Sequence, residues 1–122
     1  MAVNSSIVVS GSVSGLQLGG KTIGPITITG TNTDIAGGES LVLVLASGDN
    51  TITIPSTTCT AAVVDFPPTS AVVKKLKGVG GDTGLVVSKN GTLVLQFDSP
   101  APTSFILNAA SADTGTTSIL FI

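Results

Sequence analysis

Two Asp-Thr-Gly triplets, Asp82-Thr83-Gly84 and Asp113-Thr114-Gly115, are the residues of this chain whose types and spacing come nearest to chemistry. In aspartic proteases such triplets present two carboxylates that share one proton and so carry out acid–base hydrolysis. That arrangement places apolar residues ahead of the Asp and a small Ala or Ser after the Gly. Here Gly80-Gly81 precede the first triplet and Leu85 follows it, while Ser111-Ala112 precede the second and Thr116 follows. The copies also lie too close together for a two-lobed enzyme, and a dimeric enzyme needs only one. Asp and Gly as turn formers between strands is the expectation at both places.

The other polar groups lead to equally plain readings. Gly78-Val-Gly-Gly-Asp-Thr-Gly84 has the glycine content of a phosphate cradle, but Leu85-Val-Val87 follows where a Walker loop requires Lys-Ser/Thr and a helix. An inter-strand loop is expected. Lys74, Lys75 and Lys77 form the only basic cluster, with Lys75 and Lys77 on one face of a strand and Lys74 on the other. Solvated lysines protecting a sheet edge are the expectation, with a contact to an acidic partner protein as the second option. The seven acids stand singly near turns, which is not a calcium-loop pattern. Cys59 between Thr58 and Thr60 reads as a small buried hydrophobe. Thr27, Thr29, Thr31 and Thr33 read as the solvent side of a strand that Gly30 and Asn32 interrupt.

Composition narrows the function classes further. The 122 residues include no His, no Trp, no Tyr and one Cys, with a net charge of −2 and 10% charged residues. Imidazole general bases, His metal centres, zinc cysteines and intrachain disulfides are thereby excluded. An acidic chain whose five basic residues are all lysine has a poor electrostatic footprint for nucleic acid. Sugar-stacking platforms are missing too, so Phe66, Phe97, Phe105 and Phe121 read as core or interface anchors. No catalytic residue, metal ligand or cofactor is designated. The longest strongly apolar run, residues 41–46, is far short of a membrane span, and no secretory signal is visible, so cytoplasmic synthesis is expected.

The elements that must position these groups are strands. Val, Ile and Thr dominate, and apolar residues alternate or come in short runs broken by Gly, Pro, Asp and Asn. Strands are predicted at 3–10, 12–18, 21–29, 40–46, 50–55, 60–66, 71–77, 85–89, 92–97, 103–109 and 116–122. The expectation is one all-β domain over residues 1–122, an antiparallel β-sandwich or jelly roll of about 8–11 short strands, with 1–6 as a possible N-terminal arm. Asn90-Gly91 predicts a type I′ hairpin turn, and Ser47-Gly48-Asp49-Asn50 predicts a second hairpin joining the 41–46 run to Thr51–Ile54. The unbroken apolar run Leu41–Leu45 predicts a strand covered on both faces, either central in a sandwich or at a subunit contact. The final Ile119-Leu120-Phe121-Ile122 is expected to be tucked into a sheet or covered by a neighbour.

The segment Leu76-Lys-Gly-Val-Gly-Gly-Asp-Thr-Gly-Leu-Val-Val87, followed by Thr92–Phe97 and Phe105-Ile-Leu-Asn108, resembles small all-β virion proteins of tailed bacteriophages. The resemblance covers roughly residues 71–122. It implies a non-enzymatic structural role as a capsid decoration (cement) protein located in the virion. Its implied partners are further copies of the chain, with a trimer favoured, and the major capsid or another virion protein. A tail- or fibre-associated module binding a host-surface ligand is the alternative. The expected contact residues are Ala2, Val3 and Asn4 in the arm, Lys74 and Lys75 in the basic cluster, and Leu120, Phe121 and Ile122 at the end of the last strand.

Overall fold

A computed structural model describes residues 3–9, 26–32, 40–98 and 100–122, the first two segments as backbone only. All of its regular elements are strands, and among the described residues no helix is long and apolar enough to cross a membrane. β1 (Val3–Val9) and β2 (Ile26–Asn32) form a two-stranded antiparallel ribbon. The other strands are β3 (Ser40–Leu43), β4 (Gly48–Thr53), β5 (Ala61–Asp65), β6 (Lys74–Lys77), β7 (Leu85–Val87), β8 (Thr92–Gln96), β9 (Ser104–Ala109) and β10 (Thr117–Phe121). They make two four-stranded antiparallel sheets, ordered β3-β10-β5-β8 and β4-β9-β6-β7.

The strand order specifies how the chain is wound. β3 pairs with β10, β4 with β9, β5 with β8 and β6 with β7, so the eight strands are one long hairpin whose arms run side by side. The added pairings β10–β5 and β6–β9 close that hairpin into two facing sheets. This is jelly-roll topology. Every connection except β6–β7 crosses from one sheet to the other.

The core lies between the sheets because inward positions alternate with outward ones along each strand. Ala62, Val64, Ile119 and Phe121 of the first sheet meet Ile52, Phe105, Leu107 and Ala109 of the second, with Leu45, Ile54, Cys59, Phe66 and Ala101 closing the ends. Ile52 and Ile54 point inward while Thr51 and Thr53 are exposed, and Phe66, Phe105 and Phe121 are core residues.

Several expectations are corrected. The turns at 47–50 and 89–92 are not hairpin turns: β3 and β4 lie in different sheets, as do β7 and β8. Among the described residues no non-glycine residue has positive φ, and Gly91 is not among the positive-φ glycines, so the Asn-Gly pair does not adopt the type I′ form. Hydrophobic strand pairs here meet across the core instead of along a ladder. Leu41–Leu45 is not central either, since β3 is an edge strand that leaves Leu41, Val42 and Val44 exposed. β2 continues through Gly30 to Asn32 without interruption. The predicted strand at 12–18 and the arm residue Ala2 lie outside the described residues.

Candidate functional site

The antiparallel winding sorts the connections to two ends of the roll. Segments 44–47, 66–73, 88–91 and 110–116 lie at one end, and 54–60, 78–84, 97–98 and 100–103 at the other. Backbone hydrogen bonds lace each set together. Asp113 N donates to Leu45 O, Ala110 N to Val73 O and Phe66 N to Gly91 O at the first end. Ile54 N donates to Thr103 O, Ala101 N to Thr57 O and Phe97 N to Thr60 O at the second.

At the first end the laced loops close over a charge. Lys74 begins β6 and is fully buried. Its ammonium donates to Ser70 Oγ at 2.8 Å, Val72 O at 3.1 Å and Lys89 O at 2.7 Å, and lies 2.9 Å from Asp113 Oδ2. It also sits 5.2 Å from the centre of the Phe66 ring. Asp113 in turn accepts from Ser70 Oγ at 2.9 Å and from Thr114 N at 3.0 Å. Burial alone would raise the Asp113 pKa, but the hydrogen bonds from Lys74 and Ser70, the Lys74 charge and the Thr114 amide hold it below its usual 3.8. One ammonium therefore gathers three of the four loops, and the Asp113 amide ties in the fourth through Leu45.

This corrects the sequence expectation for Lys74, which is neither solvated nor at an edge: β6 runs between β9 and β7. The alternation of Lys74 against Lys75 and Lys77 was legible, but not which face would be inside. Ser70 and Lys74 are in hydrogen-bond contact, but both are engaged with Asp113 inside the closed end of the roll. The two Asp-Thr-Gly triplets are not brought together. Asp113 lies in the Lys74 knot, while Asp82 is at the opposite end, accepting from the Gly78 and Val79 amides within the β6–β7 loop.

The outer face of the second sheet carries a smaller polar group. Asp49 Oδ1 accepts from Asn108 Nδ2 at 2.6 Å and from Lys77 Nζ at 3.0 Å. The Asn108 and Lys77 hydrogen bonds, in that order, hold its carboxyl below the usual value. Facing water, this pair contributes little to stability.

The outer face of the first sheet is different in kind. Leu120, Val63 and Val94 stand in one register row across β10, β5 and β8, with Val42 on the neighbouring row of β3. Val42 is 62% exposed and Leu120 38%. Asp65 is the only charged residue among the outward positions of this face, beside Ser118, Thr92, Ser40 and Gln96. Of the three terminal residues expected at a contact, only Leu120 reaches this surface. Phe121 is in the central core, and Ile122 packs with Ala61 and Val94 while its backbone oxygen accepts from Thr60 N and Ala61 N. Phe121 and Ile122, expected at a contact, are instead buried: alternation turns Phe121 to the inner face opposite Leu120, and Ile122 packs on Ala61 and Val94 beyond the end of β10. Val3 and Asn4 lie in β1, and Lys75 is half-buried on the outer face of the second sheet.

No family model, curated protein or solved structure matches this chain.

Proposed function

We propose that the chain is a non-enzymatic structural protein of a virion, specifically a capsid decoration (cement) protein of a tailed bacteriophage that stabilises the head through protein–protein contacts. The observation that carries this reading is the charge-poor outer face of the first sheet, where Val42 and Leu120 are exposed beside half-buried Val63 and Val94, together with β3, which has one strand neighbour among the described residues. Exposed apolar side chains grouped on a sheet face support a protein contact, and an edge strand invites another chain. In the roll behind it, the buried Lys74 and Asp113 are engaged in holding the loops together. Eight-stranded jelly rolls recur in capsid and lectin domains. The absence of Trp and Tyr favours the capsid side of that fold-level analogy.

The proposed partners are further copies of the chain, as a trimer, and the major capsid protein. Light scattering coupled to size exclusion, together with peptide mass spectrometry of purified particles, tests the reading. A discrete oligomer and its presence in heads are the expected results. A 12 kDa monomer absent from particles overturns it. A tail- or fibre-associated ligand-binding module is the second reading, favoured by the exposed β6–β7 loop with Val79 at its surface. Its presence in separated tails, with none in heads, would select that reading.

A further inference from the structure

Asn90-Gly91 is the one Asn-Gly pair of the chain, and it lies in a sheet-crossing connection between β7 and β8. Asn90 is exposed, while the carbonyls on either side of it are anchored. Lys89 O accepts from Lys74 Nζ at 2.7 Å, and Gly91 O accepts from Phe66 N at 3.0 Å. Gly91 N donates to none of the described residues. Packing requires glycine here, since an added Cβ would stand 2.7 Å from Ser88 Oγ and 3.3 Å from Ser88 Cβ. The fold thus sets an unbonded peptide nitrogen, with no side chain to shield it, directly after an exposed side-chain amide.

We infer that Asn90 is a site of spontaneous covalent modification, and that its deamidation to isoaspartate loosens the end of the roll that closes over Lys74. Gly91 N bonds to Asn90 Cγ, the Cγ–Nδ2 bond breaks, and ammonia leaves with the proton from Gly91, closing a succinimide ring. Water then opens the ring at one of its two carbonyls. Cleavage between Cγ and the nitrogen gives aspartate on the original backbone. Cleavage between the main-chain carbonyl carbon and the nitrogen gives isoaspartate, whose backbone runs through Cβ and Cγ. The only reactants are the chain and water. Asn50 and Asn108 are protected by comparison. Asn50 is held by hydrogen bonds to Ala46, Gly48 and Leu107, and Asn108 donates to Asp49. Both lie in strands and precede residues that carry a Cβ, Thr51 and Ala109.

The consequence follows from the two anchors. Isoaspartate adds a main-chain carbon between Lys89 O and Gly91 O, so the two carbonyls no longer fit their donors together. Lys74 is fully buried and donates to Ser70, Val72 and Lys89, so a displaced Lys89 O takes an acceptor from a buried charge. A buried charged donor left without its acceptor destabilises the fold far more than an exposed one. Aspartate on the original backbone changes only an exposed side chain and keeps both anchors.

The test ages folded full-length protein in mildly alkaline buffer. Peptide mass spectrometry reads loss of the amide, and labelling by an isoaspartyl methyltransferase reads isoaspartate. The expected result is amide loss and label at the Asn90 peptide with Asn50 and Asn108 intact, and a urea midpoint that falls in step with the isoaspartate fraction. Asn90→Gln, which closes its larger ring far more slowly, should keep its fresh midpoint on ageing. Freshly prepared Asn90→Asp should match fresh wild type, which separates the lengthened backbone from the added charge. An Asn90 amide that persists in the folded protein and is lost only in urea overturns the site, because the roll then protects the loop. Isoaspartate formed with no change of midpoint overturns the coupling to Lys74. A midpoint lowered equally by fresh Asn90→Asp overturns it too, since charge alone then explains the loss.

Discussion

Removing either partner of the Lys74–Asp113 pair leaves the other as an uncompensated charge inside the roll. The cost of that is about 3–5 kcal/mol, whereas replacing both partners by apolar residues is much milder. Asp113→Asn and Lys74→Met should therefore each lower the urea midpoint strongly, and Lys74→Met with Asp113→Leu should recover part of the loss. The same pair sets an acid limit. The Asp113 pKa is depressed on folding, so its contribution is present above the unfolded value near 3.8 and is lost as pH falls through the lower folded value. Urea titrations between pH 7 and pH 2 should show stability falling below about pH 4, and the fall should be shallower in Asp113→Asn. The neighbouring triplet residue Gly115 is equally constrained, because a Cβ there would stand 2.6 Å from Pro67 Cβ. Asp-Thr-Gly was legible as a turn in both copies. That one aspartate would be the counter-ion of a buried lysine was not, since the two residues are distant in sequence and meet only when the loops are stacked.

At the scale of elements, the sequence signals that located strands misassigned some of their partners. Asn50 shows why. Its side chain accepts from Ala46 N at 3.0 Å and donates to Ala46 O at 2.9 Å, Gly48 O at 3.1 Å and Leu107 O at 3.1 Å. It holds a corner at which the chain leaves one sheet for the other, not the tip of a hairpin. Asn50→Ala should orphan these backbone groups at a cost of about 1–3 kcal/mol, measured by urea unfolding. Hydrogen exchange should become faster at Ala46 as its amide loses the Asn50 carbonyl. Within the two four-stranded sheets the one hairpin is β6–β7, and its loop ends at Gly84, where φ is +85° and an added Cβ would stand 2.9 Å from Lys77 Cγ, so a side chain there would be strained. Glycine content was enough to find that loop. Turn chemistry could not distinguish a hairpin from a sheet-crossing corner, because both reverse the chain with the same small polar residues.

At the scale of the whole molecule, the terminal strand sets a core residue and, on the proposed assembly, a contact residue side by side. Phe121 is buried in the central core and Leu120 points outward on the sheet's other face. Phe121→Ala should destabilise by about 3–5 kcal/mol through cavity formation. Leu120→Thr should change the unfolding midpoint little and instead weaken self-association, read by the concentration dependence of the solution mass. The amino-acid sequence by itself determined that this is an all-β chain of short strands and where most of those strands run. Those properties follow from local alternation and residue type, which act within a strand. Only the tertiary structure decided the jelly-roll winding, the interior position of Lys74, the edge position of β3 and the outward row in which Leu120 is exposed beside half-buried Val63 and Val94. Each of these depends on which strand lies beside which. Period-two alternation identifies the two faces of a strand, but a neighbour chosen from far along the chain decides which apolar face is covered and which is left open.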